Sequence, residues 1–318
     1  MNKTVSVNIV TYNSEDDITD CLRAVAAQDY HIAQVIVIDN ASSDQSVARA
    51  RECSGWFAGE ETSRLLLIEN SVNTGFAPAH NQAIACNPCD YVLVLNPDVT
   101  LAPDYVSRLV RRLEEDTEIG SGTGKLVLKA QPEIVDSTGL TMNKARRAFD
   151  RGAGQLASDW TKSGRVFGVS GAAAMYSRRM IEDISVEGEF FDADFFAYKE
   201  DVDVAWRAEL MGWHGYFDAD ALGYHERGWK PSGRSGKAMF IRRISYINRY
   251  KMIYKNEPAR SLMKTLLLSL PYETAAFGYM LLREPGLIKA WWLFFSQLSV
   301  LSRKRKLIQS RINKLNNG

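Results

Sequence analysis

The chain has 318 residues, 46% of them hydrophobic and 24% charged, a balance that excludes a disordered, collagen-like or fibrous protein. At roughly 150 residues per domain, the length suggests two domains or one large domain with an appendage. Thirty-nine Lys and Arg stand against 38 Asp and Glu, and a net charge of +1 gives no reason to expect nucleic acid as a partner.

The charge is unevenly spread. Residues 255–318 hold 11 Lys and Arg against 3 Glu, an excess of eight that leaves the preceding residues net acidic by seven. A basic end on an acidic body points to an anionic surface as its partner.

In chain order, residues 5–10 read as a buried strand, too short and too alternating for a signal peptide. Ser14, followed by Glu15, Asp16 and Asp17, reads as an N-cap with acids in the first helical turn. Ile18, Leu22 and Val25 share one face of the helix behind it. Residues 35–38, 65–68 and 91–95 are further apolar runs, separated by helical patterns over 45–52 and 77–85. Continuous apolar strands alternating with helices predict an α/β fold with a parallel sheet covered on both faces. Neither a GxGxxG after the first strand nor a Walker A lysine motif is present, against a dinucleotide-binding dehydrogenase or a P-loop enzyme. Cys86 and Cys89 have CxxC spacing without a second such pair for zinc, and read as ordinary thiols.

A polar cluster follows each strand: Thr11, Tyr12 and Asn13; Asp39 and Asn40; Asn73, Thr74 and Gly75; Asn96, Pro97 and Asp98. Turn formation accounts for each singly, but not for one after every strand. Ligands of such sheets bind beyond the carboxyl ends of the strands, so these clusters mark a candidate site. Asp98 can hold a divalent ion, since Mg²⁺ takes one or two carboxylates plus substrate phosphates.

Residues 120–168 are mixed, with loops suggested by Gly152, Gly154 and Gly164. A strand is expected over 166–169, reaching Ser170 and Gly171, and an apolar stretch over 172–176 leads into a helix. Glu200, Asp201 and Asp203 crowd the start of a helix over 200–211. Favourable charge at a helix N-terminus explains one or two of them. A carboxylate whose proton affinity is raised by neighbouring acids also suits a general base. A short strand over 213–217 follows, with His225 in the loop beyond.

Past about residue 237 the pattern becomes helical, amphipathic and basic. Residues 262–282 and 287–301 are strongly apolar but interrupted by Lys264, Pro271, Glu273 and Lys289, so a spanning helix is not favoured. Trp291, Trp292, Phe294 and Phe295 beside the run 303–306 fit a helix lying in a membrane interface more closely than a subdomain packed on the body.

In order and spacing these stretches resemble the inverting GT-A glycosyltransferases of family 2, within them the bacterial rhamnosyltransferase-like branch. The resembling residues run from 7–13 through 37–44, 73–77, 95–98, 170–172 and 195–207 to 212–213 and His225. The resemblance implies a GT-A fold, Rossmann-like with a mostly parallel sheet flanked by helices, over residues 1–236. Residues 237–318 would form a C-terminal amphipathic, membrane-surface-like helical extension. Thr11, Tyr12, Asn13, Asp39, Asn40, Asn73, Gly75, Asn96, Gly171 and Glu200 would line the nucleotide-sugar site, Asp39 accepting from the pyrimidine imide. Asp98 and His225 would be ligands of Mg²⁺ or Mn²⁺, and Asp201 the catalytic base. Trp206, Trp213 and Trp229 are candidates for stacking on sugars, with core packing favoured for the first two. Asn96 replaces the first acid of the family's Asp-x-Asp motif, as in the rhamnosyltransferase-like branch. The implied activity is inverting transfer of a sugar, L-rhamnose from dTDP-rhamnose favoured, onto a bacterial cell-surface glycan or glycolipid. The implied place is cytoplasmic, peripheral at the inner face of the plasma membrane. A UDP-hexose donor is the first alternative and a non-catalytic nucleotide- or glycan-binding scaffold the second. A nucleotidyltransferase is disfavoured because no Gly-rich phosphate loop with Arg and Lys follows the first strand.

Overall fold

The structure, a computed structural model, describes residues 3–58, 65–226 and 238–317. Strands β1 (Val5–Thr11), β2 (Gln34–Asp39), β3 (Leu65–Glu69) and β4 (Tyr91–Leu95) form the parallel half of the central sheet. Nearly every residue of β1, β2 and β4 is buried, as strands covered on both faces must be. On one face, Ile18, Leu22 and Val25 of α1 (Ile18–Ala26) pack with Val7, Val35 and Leu93. On the other, Ala79 and Ala83 of α3 (Phe76–Ala85) meet Ile36 and Ile38. Helix α2 (Ser46–Glu52) lies between β2 and β3 in the chain. Each fully buried Leu or Ile contributes about 2–3 kcal/mol.

The first helix begins later than Ser14 suggests. Ser14 is no side-chain cap: its carbonyl accepts from the N–H groups of Asp17 and Ile18, and its own N–H donates to Ser46 Oγ. A turn therefore separates β1 from α1, and its residues face the end of the sheet.

The other half of the sheet has mixed directions. After β5 (Val99–Leu101) and α4 (Tyr105–Glu115) come β6 (Ile119–Leu128), β7 (Gln131–Ser137), the hairpin β8 (Leu140–Met142) and β9 (Ala148–Asp150), β10 (Gly164–Val166) and β11 (Ala173–Ser177). Helices α5 (Arg178–Ile184) and α6 (Glu200–Leu210) precede β12 (His214–His225). The strand order is β10-β12-β6-β11-β4-β1-β2-β3, with β5 on β12 and β7 on β6. Two expectations are corrected. The strand expected over 166–169 ends at Val166, and residues 167–172 form a loop into β11. The short strand expected over 213–217 runs on to His225, which ends a strand paired with β5 and β6. Alternation is broken near Asp218, where the register shifts between Asp218 and Leu222.

Helices α7 (Met239–Asn256), α8 (Ala259–Arg283), α9 (Lys289–Ser296) and α10 (Leu298–Asn317) complete the chain. The basic run does not project freely. Lys304 is buried against Asp192 and Asp194, at 2.6 and 2.8 Å, and Lys255 of α7 pairs with the same Asp192. Arg303 pairs with Glu187, and Arg305 donates to the Tyr254 carbonyl. Ile308 and Ile312 enter the core beside Met180 and Ile184. Arg303, Lys304 and Arg305 thus fasten α10 to the body. The boundary expected at 236/237, like Trp229, lies outside the described residues.

Candidate functional site

The carboxyl ends of β1, β2 and β3 lie level because the strands are in register, Thr11 beside Asp39 and Asp39 beside Glu69. In-register parallel neighbours place side chains on the same face, so Thr11 Oγ1 donates to Asp39 Oδ1 at 2.9 Å, and Ser42 N–H donates to Oδ2 at 2.9 Å. Both residues are buried at the strand ends. Above them opens a cleft of about 1600 Å³, lined by Tyr12, Asn13, Asn40, Asn73, Gly75, Asn96, Asp98, Gly171, Glu200, Asp201 and His225. Eleven of the thirteen candidates therefore line one cavity, with Thr11 and Asp39 directly beneath.

Asn40 organises the loops that follow β2 and β3. Its amide donates to the Gly75 carbonyl at 3.0 Å, and its Oδ1 accepts from Asn70 and Thr74. Asn73 Oδ1 accepts from Gly75 N–H at 2.9 Å. Gly75 has φ +94°, and a Cβ there would lie 2.5 Å from the Phe196 carbonyl oxygen. A side chain at this position would be strained and would clash.

The opposite wall is the start of α6. Gly171 N–H donates to Asp201 Oδ2 at 3.2 Å. Burial lifts the Asp201 carboxyl above the ordinary carboxylate range, while Lys199 and the Gly171 N–H pull the other way. Glu200 is buried with Oε2 unpartnered, and burial followed by the charge of Asp201 pushes it up to about 8. Phe196, Tyr198 and Lys199 all have positive φ, 59°, 70° and 75°, strain that persists only when its surroundings impose it. The buried Asn248 of α7 imposes it: its amide donates to the carbonyls of Phe195, Ala197 and Tyr198 at 2.8–3.0 Å.

At the third wall, His225 Nε2 lies 3.3 Å from Asp98 Oδ1, and Nδ1 is 2.8 Å from Asp136 Oδ2. Burial disfavours the imidazolium, but hydrogen bonds and charge from Asp136 and Asp98 outweigh it and push His225 up to about 9. Asp17 also lines the cleft, and burial together with Asp98 raises its carboxyl. A histidine held through Nδ1 by a buried carboxylate, with Nε2 turned to Asp98 at the cleft, has the kind of outer support that metal-ligating histidines use. No cluster of three or more metal-binding side chains occurs among the described residues, so substrate phosphates would have to complete a coordination shell here.

Trp206 is buried in the core with the Arg146 guanidinium over its ring, and Trp213 donates to Asp183 at 2.7 Å. Neither lines the cleft. Sequence reasoning missed Asp136, Asn248, Asp17 and the β8–β9 hairpin, whose Phe149 and Asp150 line the cavity. Asp136 and Asn248 carry no local motif, since they act on partners 89 and about 50 residues away.

A mixed α/β sheet with an acidic cleft over its strand ends and a charged helix start facing it defines a GT-A-type nucleotide-sugar fold. Residues 6–185 match the family described as Glycosyl transferase family 2, and the chain belongs to that family. It is similar to the poly-beta-1,6-N-acetyl-D-glucosamine synthases of Staphylococcus aureus strain MSSA476, 24% identical over 67% of this chain, and of Staphylococcus epidermidis, 20% identical over 69%. The chain spans about half the length of these curated relatives, 48% of each. Among solved structures, GalNAc-T7 with UDP, GalNAc and Mn²⁺ shares the fold at TM-score 0.60 and 13% identity, covering 80% of this chain and 48% of that one. The Pyrobaculum calidifontis mannosyltransferase PcManGT with GDP-Man and Mn²⁺ does so at 0.56 and 20%, covering 94% and 76%. S. aureus TarS follows at 0.54 and 16%, covering 98% and 53%.

Proposed function

We propose that this protein is an inverting glycosyltransferase with Asp201 as its general base. The observation that carries the reading is the placement of the Asp201 carboxylate, held by Gly171 N–H, in the same cavity as the strand-end groups and Asp98. An acceptor hydroxyl gives its proton to Asp201 as its oxygen bonds to the anomeric carbon. The bond from that carbon to the diphosphate oxygen breaks, the pair of electrons leaves with the nucleoside diphosphate, and configuration inverts. Thr11, Tyr12, Asn13, Asp39, Asn40, Asn73 and Gly75 form the nucleotide side, with Asn96, Gly171 and Glu200 toward the sugar. Glu200, neutral at pH 7, can donate a hydrogen bond to a sugar hydroxyl that a carboxylate could only accept. Asp98 and His225 would hold Mg²⁺ or Mn²⁺, which neutralises charge on a leaving diphosphate. The neighbouring structures hold Mn²⁺ with a nucleotide or nucleotide sugar, which supports a donor and ion of that class.

The donor we favour is dTDP-rhamnose, on the resemblance that includes Asn96. The acceptor is a hydroxyl of a cell-surface glycan carried on lipid at the cytoplasmic face of the membrane. We read residues 1–236 as the catalytic unit and 237–318 as a helical unit that also contributes to the cleft, through Phe240, Ile241 and Ser245. The UDP and GDP-Man bound by the neighbours keep another hexose donor as the second reading. The test is nucleoside diphosphate release from dTDP-, UDP- and GDP-sugars with Mg²⁺ or Mn²⁺, with and without a bacterial lipid extract. Release confined to dTDP-rhamnose and raised by the extract is expected. Release from a UDP-sugar alone refutes the rhamnose assignment, and nucleotide binding without release from any donor favours a scaffold.

A further inference from the structure

We infer that the α8–α9 unit is a docking surface for an anionic lipid bilayer, and that it sets the cleft mouth at that surface. The consequence for acceptor capture rests on the glycosyltransferase reading; the docking does not.

Helix α8 is amphipathic the wrong way round for a soluble protein. The stripe it turns to the body is Ser261, Thr265, Ser269, Glu273, Ala276 and Met280, at helical spacing and mostly polar or small. Glu273 is held there by Arg249 at 2.6 Å and by the Tyr250 hydroxyl, and Ser261 donates to Glu257 Oε1 at 2.5 Å. The outward side carries Met263, Leu267, Leu270 and Phe277, from 50% to 68% exposed, and Leu282 at 84%. In α9, Trp292 and Phe295 are 73% and 63% exposed while Ala290 and Phe294 face inward. A contiguous apolar surface of this kind marks an interaction site. No helix among the described residues is long and apolar enough to cross a membrane, so the geometry is that of a helix lying along an interface, about 37 Å long at 1.5 Å per residue.

Charge selects the occupant. Across residues 259–296 every exposed charged side chain is a cation: Arg260 and Lys264 at one end of α8, Arg283 at the other, Lys289 at the start of α9. The acids Glu273 and Glu284 are turned inward against Arg249 and Arg242. A second copy laid on this face in either direction would set cation against cation, whereas anionic headgroups match both ends. Exposed Tyr272, Tyr279 and Trp292 suit the headgroup level.

The same surface is tied to the cleft by the first turns of α7. Arg243 donates to the Gly286 carbonyl at 2.8 Å and Arg242 pairs with Glu284 at 2.7 Å, bracing the α8–α9 connection. From the same turns, Phe240, Ile241 and Ser245 line the cleft. An acceptor carried on lipid would reach Asp201 from the bilayer side.

The test is co-sedimentation of the full chain with vesicles of phosphatidylglycerol and phosphatidylcholine, and of phosphatidylcholine alone. Binding at least tenfold tighter to the anionic vesicles is expected. Lys264→Gln/Arg283→Gln/Lys289→Gln should weaken it about 100-fold, near fivefold per cation. Leu267→Glu/Phe277→Glu should abolish it while leaving nucleoside diphosphate binding unchanged by calorimetry. If that double variant does not melt cooperatively, Leu282→Glu takes its place. Equal binding to both vesicles, binding to neither, or variants that sediment like the parent overturn the inference. So does a parent dimer in light scattering that Leu267→Glu/Phe277→Glu splits, which assigns the face to a second copy. Vesicle binding without turnover of any nucleotide sugar keeps the docking and sinks the enzymatic reading; turnover on a water-soluble acceptor without vesicle binding does the reverse.

Discussion

Asp201→Asn separates chemistry from binding at this site. The amide is isosteric and keeps an oxygen to accept from Gly171 N–H, now 3.2 Å from Oδ2, so the loop leading into β11 should stay in place. What is lost is the proton acceptor. An acceptor hydroxyl attacks poorly while it keeps its proton, and removing a positioned base costs about 10²–10⁴ in rate, about 3 to 5 kcal/mol of barrier. Nucleoside diphosphate release should fall by that factor, with nucleotide affinity by calorimetry within about twofold of the parent. The parent's pH profile adds a second check. Asp201 works ionised, and burial raises its pKa above the ordinary 3.8. The acidic limb should therefore have its midpoint above that value, and the Asn variant should lack this limb. Turnover within tenfold of the parent would remove Asp201 from the role of base. A parallel loss of nucleotide binding would show that the carboxylate holds the site together instead.

Glu200 should make the fold less stable as pH rises. Its folded pKa of about 8 lies above the ordinary 4.5, so the folded state holds a proton that the unfolded chain releases between those values, and stability declines across that window. Glu200→Gln should flatten the decline in thermal unfolding followed from pH 4.5 to 8; an unchanged slope would show that Glu200 is not held neutral. Asp192→Ala should destabilise by about 1.5–3 kcal/mol, because the buried Lys255 and Lys304 lose their shared partner and keep Asp203 and Asp194, and a denaturant midpoint near the parent's would contradict this. Asn248→Ala should cost about 1–3 kcal/mol by orphaning three carbonyls and also lower turnover, since the loop before Asp201 is freed; stability loss with full turnover would limit Asn248 to folding.

Local pattern in the sequence determined the parallel half of the sheet, its covering helices and the polar residues at its strand ends. Buried strands and amphipathic helices write themselves into adjacent residues, and parallel register then brings Thr11, Asp39 and the loops beyond them to one edge without further information. It also determined that Glu200, Asp201 and Asp203 crowd one helix start. Only the tertiary structure decided which of them matters where: Asp203 turns inward to Arg207 at 3.0 Å and to Asn256, while Glu200 and Asp201 face the cleft. His225 became a strand end beside Asp98 because β12 continues past an irregular register that alternation does not reveal. Asp136 and Asn248 were invisible because their partners lie far off in the chain. The basic run at 303–306 read as a free cationic end, yet buried acids of the body claim Lys304. The helix left facing outward is α8, whose exposed apolar side is set by which of its residues bond inward. Periodicity tells that a helix has two faces; packing alone decides which one meets the protein.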